Sequence, residues 1–103
     1  MPSRQAQLRS LASSDIDAAV TSLTKEAGVL VAGEFVDALE QAVRHISRSP
    51  NSGTLRFAYD LGIPELRAWR VKRFPYAIFY VPKDDRIDIW RVLHTRRDVP
   101  SNF

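Results

Sequence analysis

Leu66-Arg67-Ala68-Trp69-Arg70-Val71-Lys72-Arg73-Phe74-Pro75-Tyr76-Ala77-Ile78-Phe79-Tyr80-Val81 is the stretch on which the fold turns. Its first half alternates. Arg67, Trp69, Val71 and Arg73 fall on one side, and Leu66, Ala68, Arg70 and Lys72 on the other. That is the two-residue period of a strand. Pro75 punctuates, and Tyr76 to Val81 is apolar on both sides, as in a central strand. Pro82-Lys83-Asp84-Asp85 reads as a hairpin turn. Arg86 to His94 reads as the last strand. A strict alternation puts Ile87, Ile89 and Leu93 on one face and Trp90, Val92 and His94 on the other.

Working upstream, the period changes. Ala32, Phe35, Val36, Leu39, Val43 and Ile46 form a stripe at helical spacing, and Pro50 ends that helix by Ser49. Ile16, Ala19, Val20, Leu23 and Ala27 form another, about three turns long, with Ser14 and Asp17 as an imperfect capping box and Gly28 as its stop. The short join implies an antiparallel helical hairpin. Gln5 to Leu11 is a weakly patterned edge strand, and residues 54–64 read as an irregular connector. The order is β-α-α-β-β-β. It predicts an α+β layer, with the helical hairpin on one face of a twisted antiparallel sheet. Two helices cover only one face. The other, carrying Ala77, Phe79 and Val81, is expected to stay partly open and to mark an interaction site.

Composition narrows the chemistry. A length of 103 residues suits one domain, residues 1–103, with a modest core. With no cysteine, disulfides and thiolate metal sites are excluded. No apolar run approaches a membrane span, and Met1 to Arg9 has no apolar signal core, so a cytoplasmic location is expected and no membrane partner. Net charge is +3, and ten of the fifteen Lys and Arg residues lie beyond residue 50. Twelve of the fifteen are arginine, whose planar fork suits phosphate and carboxylate. Such a half favours a nucleic-acid surface or an acidic protein partner. Asp84, Asp85 and Asp88 read as turn chemistry plus one strand residue rather than a metal site, and no phosphate loop, zinc spacing or nucleophile elbow is present. No cofactor is expected.

The run from Leu66 to Tyr80, the Asp84-Asp85-Arg86-Ile87 turn, and Arg91-Val92-Leu93-His94-Thr95-Arg96-Arg97-Asp98 together resemble the sheet and tail of ParE-like toxins of the RelE/ParE type II toxin–antitoxin superfamily. The helical hairpin followed by Pro50 and Gly53 sits where that family has its own. The resemblance covers nearly the whole chain and is weakest in the first eleven residues. It implies a toxin that poisons DNA gyrase and blocks replication. It also implies a ParD-like antitoxin in a hetero-oligomeric complex, which touches operator DNA only through the antitoxin. RelE-like cousins share the fold but cleave messenger RNA on the ribosome. A toxin fold without activity, serving only complex assembly, is a third reading.

Metal-free RNA cleavage needs a base, an acid and cations around the phosphate. The candidates are His94, Arg91, Arg73 and Lys72, with Arg70 beside them. No tyrosine follows residue 80, and the tail from Val99 to Phe103 supplies no obvious acid. His94 reads more readily as a residue that anchors the tail. For a gyrase poison no catalytic residue is expected. The contact residues would be Arg70, Arg73, Tyr80, Trp90, Arg91, Arg96 and Arg97. Trp69 and Trp90 read more readily as core residues than as binding platforms, and His45 receives no role.

Overall fold

The computed structural model describes residues 3–98 and 103; residues 1–2 and tail residues 99–102 lie outside it. The elements run β1 (Gln5–Leu8), α1 (Ser10–Ala27), α2 (Val29–Arg48), α3 (Arg56–Leu61), β2 (Arg67–Arg70), β3 (Tyr76–Pro82) and β4 (Arg86–His94). The sheet order is β1-β4-β3-β2. The last three strands form the expected antiparallel meander, but β1 pairs with β4 in parallel, Leu8 opposite Ile89, so the sheet is mixed. All three helices and the other two strands lie between β1 and β4 in the chain.

α1 starts earlier than its Ser14–Asp17 signal. Arg9 N–H closes the strand pairing on Ile89 O, and Ser13 N–H on Arg9 O begins the helix. The capping box goes unused, and the apolar stripe extends back to buried Ala12. Gly28 alone joins the two long helices. Its N–H caps Thr24 O, its carbonyl accepts from Ala32 N–H, and its φ of 95° is a conformation that side chains disfavour. In α2, Phe35 and Ile46 are fully buried, while Val36 turns outward and Ala38 and Ala42 take the inner face. Phe35 meets Phe74 edge-on at 5.4 Å and Tyr76 at 5.1 Å. Burying one such ring contributes about 2 kcal/mol.

The sheet's two faces follow the alternation of β3. Tyr76, Ile78 and Tyr80 face the helical hairpin, and Ala77, Phe79 and Val81 face the other way. In β4 the alternation breaks. Phe79 is opposite Arg91 and Tyr80 opposite Ile89, which leaves Trp90 as the extra residue of a bulge. Val92 therefore joins Ile87 and Ile89 on the helical side, and Leu93 joins Trp90 on the other, the reverse of the expectation for these two.

The open second face is a correction. Residues 56–61 are a short helix rather than an irregular connector, and Phe57, Ala58, Leu61 and Ile63 pack over Leu66, Ala77, Phe79 and Val81. Phe103 adds a ring against Phe79 at 5.2 Å. Ala77, Phe79 and Val81 are consequently buried by the chain itself. Among the described residues no helix is long and apolar enough to cross a membrane.

Candidate interaction surface

The β2–β3 connection is a tight turn: Phe74 N–H bonds Val71 O, and Val71 N–H bonds Tyr76 O. Its third residue, Arg73, has φ of 71°, where glycine or asparagine is favoured. The turn that follows β4 lies against it, because Thr95 N–H bonds Pro75 O at 2.8 Å. Two turns thus bring Lys72, Arg73, Arg96 and Arg97 to one end of the sheet, and Arg70 closes the last β2–β3 pair beside them. Arg70, Lys72, Arg73, Arg96 and Arg97 are all exposed. Arg70 also lines a groove of about 470 Å³ with Phe57, Ala77 and Phe79.

His94 holds the second turn. Its Nδ1 accepts from Arg96 N–H and Arg97 N–H, both at 3.2 Å, and its own backbone N–H donates to Asp98 Oδ2. Nδ1 as acceptor leaves the ring proton on Nε2. The ring meets Tyr76 edge-on at 5.2 Å, and Arg97 donates to Tyr76 Oη at 3.4 Å. Burial, then the Arg97 charge, holds the His94 pKa below its ordinary value of 6.5, against the opposite pull of Asp98 and Glu26. Burial likewise pushes the Tyr76 hydroxyl up, and the Arg97 contact only partly offsets it.

The sign of the His94 shift makes a prediction. A fold that prefers the neutral ring is stabilised above pH 6.5 and loses that contribution as pH falls through the folded-state pKa. Thermal midpoints should therefore drop as pH falls from 6.5 through the folded-state pKa. His94→Asn, whose Oδ1 can take the place of Nδ1, should flatten that part of the profile. An unchanged slope in the variant would remove His94 as its source.

The other expected contact residues lie elsewhere. Arg91 sends Nε and Nη2 to the two carboxylate oxygens of Asp15, at 2.7 and 2.9 Å, and Val92 N–H donates to Asp15 Oδ2 as well. Tyr80 is fully buried, so it cannot meet a partner. Its hydroxyl accepts from Gly53 N–H at 3.0 Å and donates to Pro50 O at 2.7 Å. Trp90 is half-buried beneath Arg9, whose guanidinium lies 3.8 Å from the ring centre. Arg9 also forks onto Asp88, and Trp90 Nε1–H donates to the same carboxylate. Burial, the largest single influence, would push Asp88 up; the Arg9 hydrogen bonds and charge, the Trp90 hydrogen bond and the Arg86 charge together outweigh it and hold the carboxyl below its ordinary range. Trp69 is partly buried, with His45 stacked on it at 4.4 Å.

Asp15 and Arg9 carry no signal in the sequence. Each meets a partner more than seventy residues away, and no local pattern marks such pairs. Of the four cleavage candidates, Lys72, Arg73 and His94 share one end of the sheet, whereas Arg91 is turned to α1. Among the described residues no group of carboxylates and histidines could hold a metal ion.

A mainly apolar groove of about 350 Å³ runs between β1 and the helices, lined by Ala6, Leu8, Ile16, Leu39, Val43 and Ile89, with Glu40 and Arg44 also lining it. It adjoins the outer edge of β1, the sheet's end strand.

Comparison with curated proteins finds no match. Among solved structures the chain is similar to one described as the chromosomal ParDE TA system from P. aeruginosa. The TM-score is 0.73 at 21% identity, over 88% of this chain and 95% of that one. The model of the family described as the ParE toxin of type II toxin–antitoxin system, parDE, matches residues 6–99, from β1 through the basic tail turn, and the chain belongs to that family.

Proposed function

We propose that this ParE-family chain arrests growth by binding DNA gyrase in the cytoplasm through its basic sheet end, as a single domain, without catalysis of its own. The observation that carries the reading is the commitment of the cleavage candidates. Arg91 is clamped by Asp15, and His94 spends Nδ1 on two backbone amides. Arg96 and Arg97, by contrast, stand exposed on a turn that His94 and Asp98 hold in place. A ParD-like antitoxin would neutralise the toxin by laying an apolar segment into the groove beside β1, since α3 already fills the second sheet face. The basic half would speed the approach of an acidic tail.

The test is a supercoiling assay with purified gyrase, run beside messenger RNA on translating ribosomes. Gyrase inhibition with intact RNA is expected. Arg96→Ala with Arg97→Ala should weaken inhibition at least several-fold and leave the thermal midpoint nearly unchanged, because exposed charges contribute little to stability. The RelE-like reading has one observation in its favour, the shared position of Lys72, Arg73 and His94. Cut RNA with untouched gyrase would establish it instead, and silence in both assays would favour an inactive assembly module.

A further inference from the structure

We infer that the same basic end binds the phosphate backbone of duplex DNA directly, with no antitoxin or gyrase as intermediary. Three observations point there. Five cations, Arg70, Lys72, Arg73, Arg96 and Arg97, come from β2 and two turns that a backbone hydrogen bond locks together. The carboxylates near them are Asp98, which accepts His94 N–H; Glu26 at the end of α1, which accepts from Ser22 Oγ; Asp60, which lines the groove that Arg70 also lines; and Asp15, which Arg91 holds. The ion pairs among the described residues, Arg9–Asp88, Arg86–Asp85 and Arg91–Asp15, use none of the five. The charge is therefore available to an outside anion.

The second observation is backbone geometry. Arg73 occupies a positive-φ position in a tight turn, where glycine would sit without strain. The turn itself demands that conformation at its third position, and Glu65 shares it at φ 67°, so what bears on binding is that the turn presents a cation at its tip. The third concerns what the surface lacks. The large exposed apolar side chains among the described residues are Leu8, Leu11, Val29, Leu30, Val36, Leu55 and Tyr59, and none lies in either turn; the apolar residues nearest the cations, Phe57, Ala77 and Phe79, are recessed in the groove beside Arg70. Acidic peptides need apolar anchors as well as charge. Phosphate backbones are held by exposed cations alone, and arginine forks fit them. Such contacts position without reading sequence, so the binding is expected to be sequence-independent.

The experiment is fluorescence anisotropy with a labelled mixed-sequence duplex of about 20 base pairs, titrated with the full chain at salt from about 50 to 200 mM. About four neutralised phosphates give a log–log salt slope near −4, a loss of roughly two hundred-fold over that range. Arg73→Gly should lower the slope by about one, and Arg96→Ala with Arg97→Ala by about two. Arg73→Gly should meanwhile keep or raise the thermal midpoint, which separates lost binding from lost folding. Lys83→Ala, in the hairpin turn at the opposite end, should change nothing. Three results would overturn the inference: no duplex binding at low salt by folded protein, equal weakening by Lys83→Ala, or tighter binding of a poly-glutamate peptide of matched charge. Gyrase inhibition without binding of free duplex would remove this inference and leave the gyrase reading intact.

Discussion

Asp15→Ala is expected to destabilise the fold by about 3 kcal/mol, the largest loss among the polar substitutions considered. Both partners of the Asp15–Arg91 pair have side chains less than 15% exposed, so removing the carboxylate takes a counter-charge and two hydrogen bonds from a guanidinium in a poorly solvated place. A second loss is added. The pairing of β1 with β4 ends at Ile89, and Asp15 supplies the acceptor for Val92 N–H just beyond it. A backbone donor left without a partner costs about 1–3 kcal/mol if it stays buried. Chemical denaturation would read the loss as a lower midpoint at an unchanged slope. Replacing both residues, Asp15→Leu with Arg91→Leu, should recover much of it, since an apolar pair avoids the desolvation of two charges. A double variant as unstable as Asp15→Ala would show that the Val92 bond, not the ion pair, carries the effect.

The second large effect is expected at the turn after α2. A Cβ on Gly53 would lie 2.7 Å from Tyr80 Oη and 3.0 Å from both Ala68 O and Arg67 Cβ. One of those neighbours is backbone in the Thr54–Ala68 bridge and cannot swing aside. Gly53→Ala should cost about 2 kcal/mol by overpacking. Tyr80→Phe should cost about 1–3 kcal/mol, because it leaves Gly53 N–H buried with no acceptor. The two are coupled. Once the hydroxyl is gone the tightest clash of the added methyl disappears, so the double variant should be less destabilised than the sum by about 1 kcal/mol. Strict additivity in urea melts would mean that the backbone contacts dominate.

Which parts were legible in the sequence follows from the range of each signal. Both helices of the hairpin and the three strands of the meander announce themselves within a dozen residues, through periodicity and the punctuation of Gly28, Pro50, Pro75 and Pro82. The short helix α3 has Phe57, Ala58 and Leu61 at helical spacing, but one and a half turns is too brief for a period to stand out. Missing it led directly to the expectation of an open second face. The bulge at Trp90 could not be read because alternation assumes one residue per partner, and the extra residue shows only once β3 is in place. At the surface, the arginines that converge were visible as composition. That Arg91 does not join them depends on Asp15, a residue with no unusual local setting. Tyr80 looked like a contact residue because aromatic side chains suit interfaces; its burial depends on Gly53 and Pro50, on a turn some thirty residues away.

The parallel pairing of β1 with β4 has a consequence for synthesis. β1 leaves the ribosome well before its strand partner, Arg86–Ile89, which follows about eighty residues later. At a translation rate of about 5–20 residues per second β1 waits on the order of 10 s for that partner. Arg9 and Asp15 wait with it, since their counter-charges Asp88 and Arg91 lie on the same late strand. The contacts that lock the sheet can form only after every element between β1 and β4 has been made, and contacts between such distant residues also slow folding. The basic turn after β4 therefore takes shape only once the last strand of the sheet has emerged, and a chain cut short before that strand has neither the closed sheet nor the basic end.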